Sequence, residues 1–291
     1  MLSRFVALCT RATLLLGAVL LPGCSDGPWN NPNPESPPGM VTYQSVMSPL
    51  PPKHLDPALS YAPDESLFLM QIYEPPMGYH YLKRPYELLP LGVEDFPLIS
   101  YTNAEGEPVD PDAGEVAFSV YEMTVRADAR YQPHPAAGRQ YRQISDFPEL
   151  GSRPVAANDY VYAIKRLADP FNASPMLGFM AQYIVGMEAF SERLKDIPRD
   201  GWVNLDQYSM HGLEVVDERT FRITIKGRYP QFSYWLAMHF FSPIAPEVDR
   251  FFHNPGFLDR NLTLDWWPVG SGPFMMVKND PNSEIVLERN P

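Results

Sequence analysis

Proline interrupts this chain from end to end. There are 33 prolines in 291 residues, spread along the whole sequence rather than gathered in one segment. Each lacks a backbone N–H and fixes φ, so it is poorly tolerated inside a helix or a central strand. The residue before each is also pushed out of the helical region. What folds under that constraint is a set of short helices and strands joined by many ordered loops. The length suffices to bury a real core, as one large domain or two modest ones. The expected class is α/β or mixed α+β, of the kind found outside the cytoplasm.

The N-terminus is built differently. Arg4 and Arg11 flank the start of an apolar run, Ala12 to Leu21. That run is too short to span a bilayer and matches the core of a secretory signal peptide. It ends in Leu21-Pro22-Gly23-Cys24, which resembles the lipobox of bacterial lipoproteins, although Pro22 replaces the usual small residue. The resemblance implies a signal peptide over 1–23, acylation of Cys24, and a protein lipid-anchored to a membrane of the periplasm or cell envelope. Ten prolines fall from Pro22 to Pro57, both included. Such a segment stays extended, so 24–40 is expected to be a tether. Cys9 leaves with the leader, which leaves one cysteine and no internal disulfide.

Beyond the tether, Met40–Val46 predicts a short strand. Asp64 and Glu65 open a helix that runs through Ile72 and stops before Pro75-Pro76. Glu115–Arg126 alternates, but its apolar parity flips once, from Val116, Phe118 and Val120 to Tyr121, Met123 and Val125. That predicts a bulge or two strands. Residues 128–154 read as loop. "VAANDYVYAIKRLADP" predicts a helix with Asp159 in its first turn, Pro170 as its stop, and Tyr160, Ile164, Leu167, Val161 and Ala168 on one face. One or two helices are expected over 174–195, a loop over 198–212, and a hairpin in "GLEVVDERTFRITIKG". "PQFSYWLAMHF" and "APEVDRFFHNPG" read as helices, and 270–291 as two strands joined by a polar turn.

Thirty-five acidic against 23 basic residues give a net charge of −12. Nucleic acid is excluded as a partner, because phosphate binding needs clustered Lys and Arg. Metalloprotease, zinc-knuckle, nucleophile-elbow and dinucleotide-binding signatures are all missing. Gly270-Ser271-Gly272 lacks the Lys-Ser/Thr of a phosphate loop and reads as a structural turn. The six histidines have no ligand spacing, so no metal and no cofactor are expected, and nothing amounts to a catalytic constellation. Asn172 and Asn261 begin glycosylation sequons that a bacterial lipobox makes irrelevant.

Six segments taken in order carry a more specific signal. "LDPALSYAPDESLFLMQIYEP", "PYELLPLGVED", "YEMTVRADARY", "VAANDYVYAIKRLADP", "GLEVVDERTFRITIKG" and "PVGSGPFMMVKNDPNSEIVLERNP" together resemble the family 5 extracellular solute-binding proteins. These are the oligopeptide- and dipeptide-binding components of ABC importers. The resemblance covers about Val41 to Pro291 and implies an α/β fold, a periplasmic-binding-protein-like (type II) lobe of mixed sheets with flanking helices. It implies a first lobe over 41–291 with a subdomain inserted at roughly 65–185, and a second lobe missing beyond Asn290-Pro291. It implies a binding protein and no enzyme, whose partners are a peptide ligand and the permease and ATPase subunits. Carried over by position, the ligand-binding residues are Ser60, Tyr61 and Ala62, after Leu-Asp-Pro, and Met176, which stands where relatives have a tyrosine. Pro63 removes one backbone donor. Ala156 replaces a capping threonine, and the long segment before it alters the cleft rim. Two alternatives stay open: the same fold holding another solute, such as a nickel complex or a sugar, and a lipoprotein with an interaction or chaperone role outside transport.

Overall fold

The computed structural model describes residues 36–46, 51–112, 114–133, 153–260 and 262–291. The leader, Cys24, most of the tether, residues 134–152 and Asn261 lie outside them. The chain divides into two units, Met1–Met47 and Ser48–Pro291. In the first, residues 36–46 form a turn followed by extended chain. The strand expected at Met40–Val46 is not formed. Val41 is 99% exposed, and a lone apolar segment that pairs with no strand among the described residues gains nothing by becoming one.

The second unit is organised on an antiparallel sheet of four strands in the order β3-β4-β6-β5. These are β3 (Leu98–Thr102), β4 (Phe118–Thr124), β5 (Leu213–Val215) and β6 (Thr220–Lys226). Two hairpins flank it, β1 (Met77–Tyr79) with β2 (Leu88–Pro90), and β7 (Phe274–Asp280) with β8 (Glu284–Arg289). β5 and β6 are the hairpin expected from the sequence, with Asp217 accepting the N–H groups of Arg219 and Thr220 at its turn.

The parity flip in β4 is neither a bulge nor a break. Its register runs unbroken against both β3 and β6. Ser119, Tyr121 and Met123 all point into the core. Ser119 tolerates its inward place because its Oγ donates to the Gly227 carbonyl at 2.6 Å. Phe118 and Val120 therefore fall on the half-exposed face, where Arg222 bridges Glu122 and Glu214.

α1 (Pro63–Ile72) begins as predicted, with proline at its first position, where no donor is needed. Leu69 and Ile72 are fully buried, each contributing roughly 1.5–3 kcal/mol of apolar burial. α2 (Ala157–Ala168) packs on the sheet, the Tyr160 ring stacked on Phe221 at 5.0 Å. A single apolar face was expected. Instead every residue but Asn158 is buried, including Asp159, Lys165 and Arg166. Ala156 provides half a capping box: its N–H donates to Asp159 at 2.8 Å, but its side chain has no oxygen to reciprocate.

Residues 174–195 form two helices, α3 (Leu177–Tyr183) and α4 (Met187–Lys195). The helix expected in "PQFSYWLAMHF" is shorter than its pattern. α5 (Phe232–Trp235) is one turn, Met238 is extended, and His239–Phe241 is a 3-10 turn. The Leu236 carbonyl accepts the Met77 N–H at 3.1 Å, which commits that backbone to β1. α6 (Pro246–Phe252) stands where predicted. Among the described residues no helix is long and apolar enough to cross a membrane.

Candidate functional site

The turn that the resemblance singles out, Asp56–Ala62, is held almost entirely from within. Asp56 folds it first: its Oδ1 accepts the Ala58 N–H, and its carbonyl accepts those of Leu59 and Ser60. An Asp before proline is suited to this, since its short side chain closes a turn on its own backbone. The same carboxylate receives both terminal nitrogens of Arg166 from α2, at 2.9 and 2.7 Å. Arg166 Nε donates to Asp249 of α6 at 2.8 Å. Asp249 also accepts from Tyr162 Oη at 2.6 Å and Trp202 Nε1 at 2.8 Å.

All three charges of this network are at most 5% exposed. Burial by itself would raise the Asp249 pKa, but Arg166 and His253 reverse the effect and hold the carboxyl below its usual range. Burial likewise works against the Arg166 charge, and the facing Asp56 and Asp249 overcome it. The guanidinium thereby ties the turn, α2 and α6 to one point.

A second set of bonds fixes the segment on either side. Asp265 accepts the N–H groups of Leu55 and Asp56 and faces His54 Nδ1 at 2.9 Å. Glu65, in the first turn of α1, accepts from the N–H of Lys53 and His54, from Ser60 Oγ at 2.7 Å, and from the Ala62 N–H at 3.4 Å. A carboxylate there is stabilised by the N-terminal end of the helix as well as by those donors. His239 Nε2 lies 3.0 Å from the Ser60 carbonyl. A carbonyl only accepts, so Nε2 carries the proton.

Of the four residues assigned to ligand contact, three are brought together. Ser60 is 1% exposed and its side chain is committed to Glu65. Ala62 precedes α1 as its N-terminal cap, in an extended conformation. Tyr61 stands out at 58% exposure. Among the described residues, neither its N–H nor its C=O takes part in a hydrogen bond. Met176 is elsewhere. It is 4% exposed, at the start of α3, with its backbone bonded to Ser174 and Met180.

Sequence reasoning passed over the residues that hold this turn. Arg166 carried a readable signal, a base beside Lys165 in a helix whose remaining residues are mostly apolar. Asp265 and His239 carried none, because their roles depend on contacts 179 to 211 residues away in sequence. Gly270-Ser271-Gly272 is a structural turn, as expected. A Cβ at Gly270 would lie 1.9 Å from the Ile72 carbonyl oxygen, which leaves no room for a bound phosphate on that side. Among the described residues no group of three or more His, Cys, Asp or Glu could hold a metal ion.

The buried His239 predicts a pH effect. Burial lowers its pKa, against the bond to Ser60 and the charge of Glu65. A histidine depressed on folding contributes stability above its free value of about 6.5 and loses it as pH falls through the folded value. Chemical unfolding from neutral pH down to about pH 5 is expected to show a loss of stability in the wild type that a His239→Gln variant lacks. Parallel profiles for the two would refute it.

Residues 151–291 match the family of bacterial extracellular solute-binding proteins, family 5 Middle. The periplasmic oligopeptide-binding protein OppA of Salmonella typhimurium is 30% identical over 211 residues, covering 67% of this chain and 36% of that protein. The dipeptide-binding protein DppE of Bacillus subtilis is 23% identical over 211 residues, covering 66% and 36%. The structure of Listeria monocytogenes OppA bound to peptide superposes with a TM-score of 0.56 at 16% identity, over 84% of this chain and 38% of that one. The fold is thus that of a type II periplasmic-binding-protein lobe. The chain spans little more than a third of the length of the relatives it matches.

Proposed function

Because this chain belongs to the family 5 extracellular solute-binding proteins and corresponds to the N-terminal part of such a protein, we propose that it captures oligopeptides or dipeptides outside the cytoplasm and delivers them to an ABC importer. The single observation that carries this reading is Tyr61. An exposed residue whose N–H and C=O are unbonded among the described residues, in a turn fixed on both sides, offers the pair of groups that one rung of a strand edge would offer. Peptide backbones dock on such edges by pairing as an added strand. Backbone pairing is blind to side chains, so affinity is shared by many peptides, and water in the side-chain pockets gives breadth. The named relatives bind dipeptides and oligopeptides, and one is a complex with peptide, which supports the same ligand class here.

On this reading Cys24 carries the lipid anchor and residues 24–40 hold the lobe off the membrane. Closure of a second lobe over the peptide completes the site, and a permease and an ATPase are the partners that use it. The chemistry is binding alone. Calorimetric titration of the full protein with mixed short peptides tests the proposal. Saturable heat is expected from the mixture. Absence of binding to any peptide, with binding instead to a nickel complex or a sugar, would replace the peptide while keeping the fold.

A further inference from the structure

The turn aims Tyr61 as well as exposing it. Two peptide planes flank this residue. The first contains the Ser60 carbonyl and the Tyr61 N–H. The second contains the Tyr61 carbonyl and the Ala62 N–H. In a trans peptide the C=O and the N–H point in opposite directions, so a bond that fixes one fixes the other. His239 Nε2 holds the Ser60 carbonyl at 3.0 Å from the core side. Glu65 Oε2 holds the Ala62 N–H at 3.4 Å, also from within. The remaining groups, the Tyr61 N–H and C=O, are therefore both directed away from the core, open to a pairing backbone.

We propose that His239 is the positioning residue of this site: its Nε2–H, donated to the Ser60 carbonyl, sets the plane of the Ser60–Tyr61 peptide and so points the Tyr61 N–H at the ligand backbone. Its own support is rigid. His239 is 5% exposed, starts the 3-10 turn His239–Phe241, and lies edge-on to the Phe240 ring at 5.7 Å. The partner plane is set by a carboxylate that also binds Ser60 Oγ, so His239, Ser60 and Glu65 act on the two planes as one clamp. The charged group facing the imidazole is Glu65. With burial keeping the ring neutral, the bond is that of a neutral donor to a carbonyl.

This inference rests on the reading of the turn as a ligand edge, and its test separates the two. Amide hydrogen exchange and titration with a synthetic mixture of tripeptides are measured near neutral pH on wild type, His239→Leu and His239→Gln. Gln retains an N–H donor of similar reach; Leu removes it. Where the Leu protein does not fold, His239→Asn, whose amide stops short of the carbonyl, takes its place. Removing the donor is expected to speed exchange of the Leu59 and Ser60 amides roughly tenfold and to weaken peptide binding by a similar factor. The Gln variant is expected to stay within about twofold of wild type on both counts, the rescue that a retained donor provides. Unchanged exchange and affinity in the Leu or Asn protein overturns the proposal, as does a Gln protein impaired to the same degree. A wild type that binds no tripeptide removes the ligand reading, and the exchange comparison still decides whether His239 orients the turn.

Discussion

Replacing Arg166 with methionine is expected to destabilise the protein by about 3–5 kcal/mol. The substitution leaves Asp56 and Asp249 buried with no guanidinium between them. Each loses hydrogen bonds that nothing else supplies, since Arg166 donates twice to Asp56 and once to Asp249. The cost comes from stranding two buried carboxylates, not from losing the worth of an isolated ion pair, which in water-exposed settings is small. A control makes the distinction. Lys83 and Glu87 form an ion pair at a shorter distance, 2.6 Å, with both side chains about half exposed. Lys83→Ala is expected to leave the unfolding midpoint where it is. Urea unfolding of both variants measures the difference, and an Arg166→Met protein within 1 kcal/mol of wild type would mean that the network carries no stability. The functional consequence follows from the same bonds. Asp56 shapes the turn that presents Tyr61, so a protein that still folds without Arg166 is expected to bind ligand weakly.

The parts of this fold that the sequence made legible are those governed by local rules. α1 follows from two acids at its start and a double proline after its end. The β5–β6 hairpin follows from alternation around Asp217. α3 and α4, and the β7–β8 pair, follow from their periods. What failed did so where a distant contact overrode the local pattern. The helix pattern through His239 breaks because the Leu236 carbonyl is bonded to β1. The parity of β4 misled because a serine can sit inward once a carbonyl 108 residues away accepts its hydroxyl. β1, β2 and β3 were not foreseen, since three to five residues among prolines carry too little period to read. The candidate site divides the same way. Its location came from a resemblance at Leu55-Asp56-Pro57 and its neighbours. Its support came from Glu65 nearby and from Arg166, Asp249, Asp265 and His239, on elements that no local window joins to that turn.

The second large effect is expected at Gly270. A Cβ there would sit 1.9 Å from the Ile72 carbonyl oxygen and 2.7 Å from its carbon. Both are backbone atoms at the end of α1, so no side chain can swing aside. The contact cannot open cheaply either. Two residues on, the Gly272 N–H caps that same carbonyl at 2.7 Å, and Gly270 itself exchanges hydrogen bonds with Gln132 through its N–H and its carbonyl. Gly270→Ala must therefore push the whole 268–272 segment off the helix end, and about 3 kcal/mol of lost stability is expected. Gly106 is the comparison. Its φ of +85° favours glycine, but an added Cβ meets nothing within 4 Å, so Gly106→Ala is expected to cost only about 1 kcal/mol of backbone strain. Thermal unfolding ranks the two. If Gly270→Ala proved no worse than Gly106→Ala, the close approach of the 268–272 segment to α1 would not be the contact that fixes this corner. If the order holds, the Gly-Ser-Gly stretch owes its glycines to helix packing. The same packing would then keep α1, and the Tyr61 turn at its other end, in place.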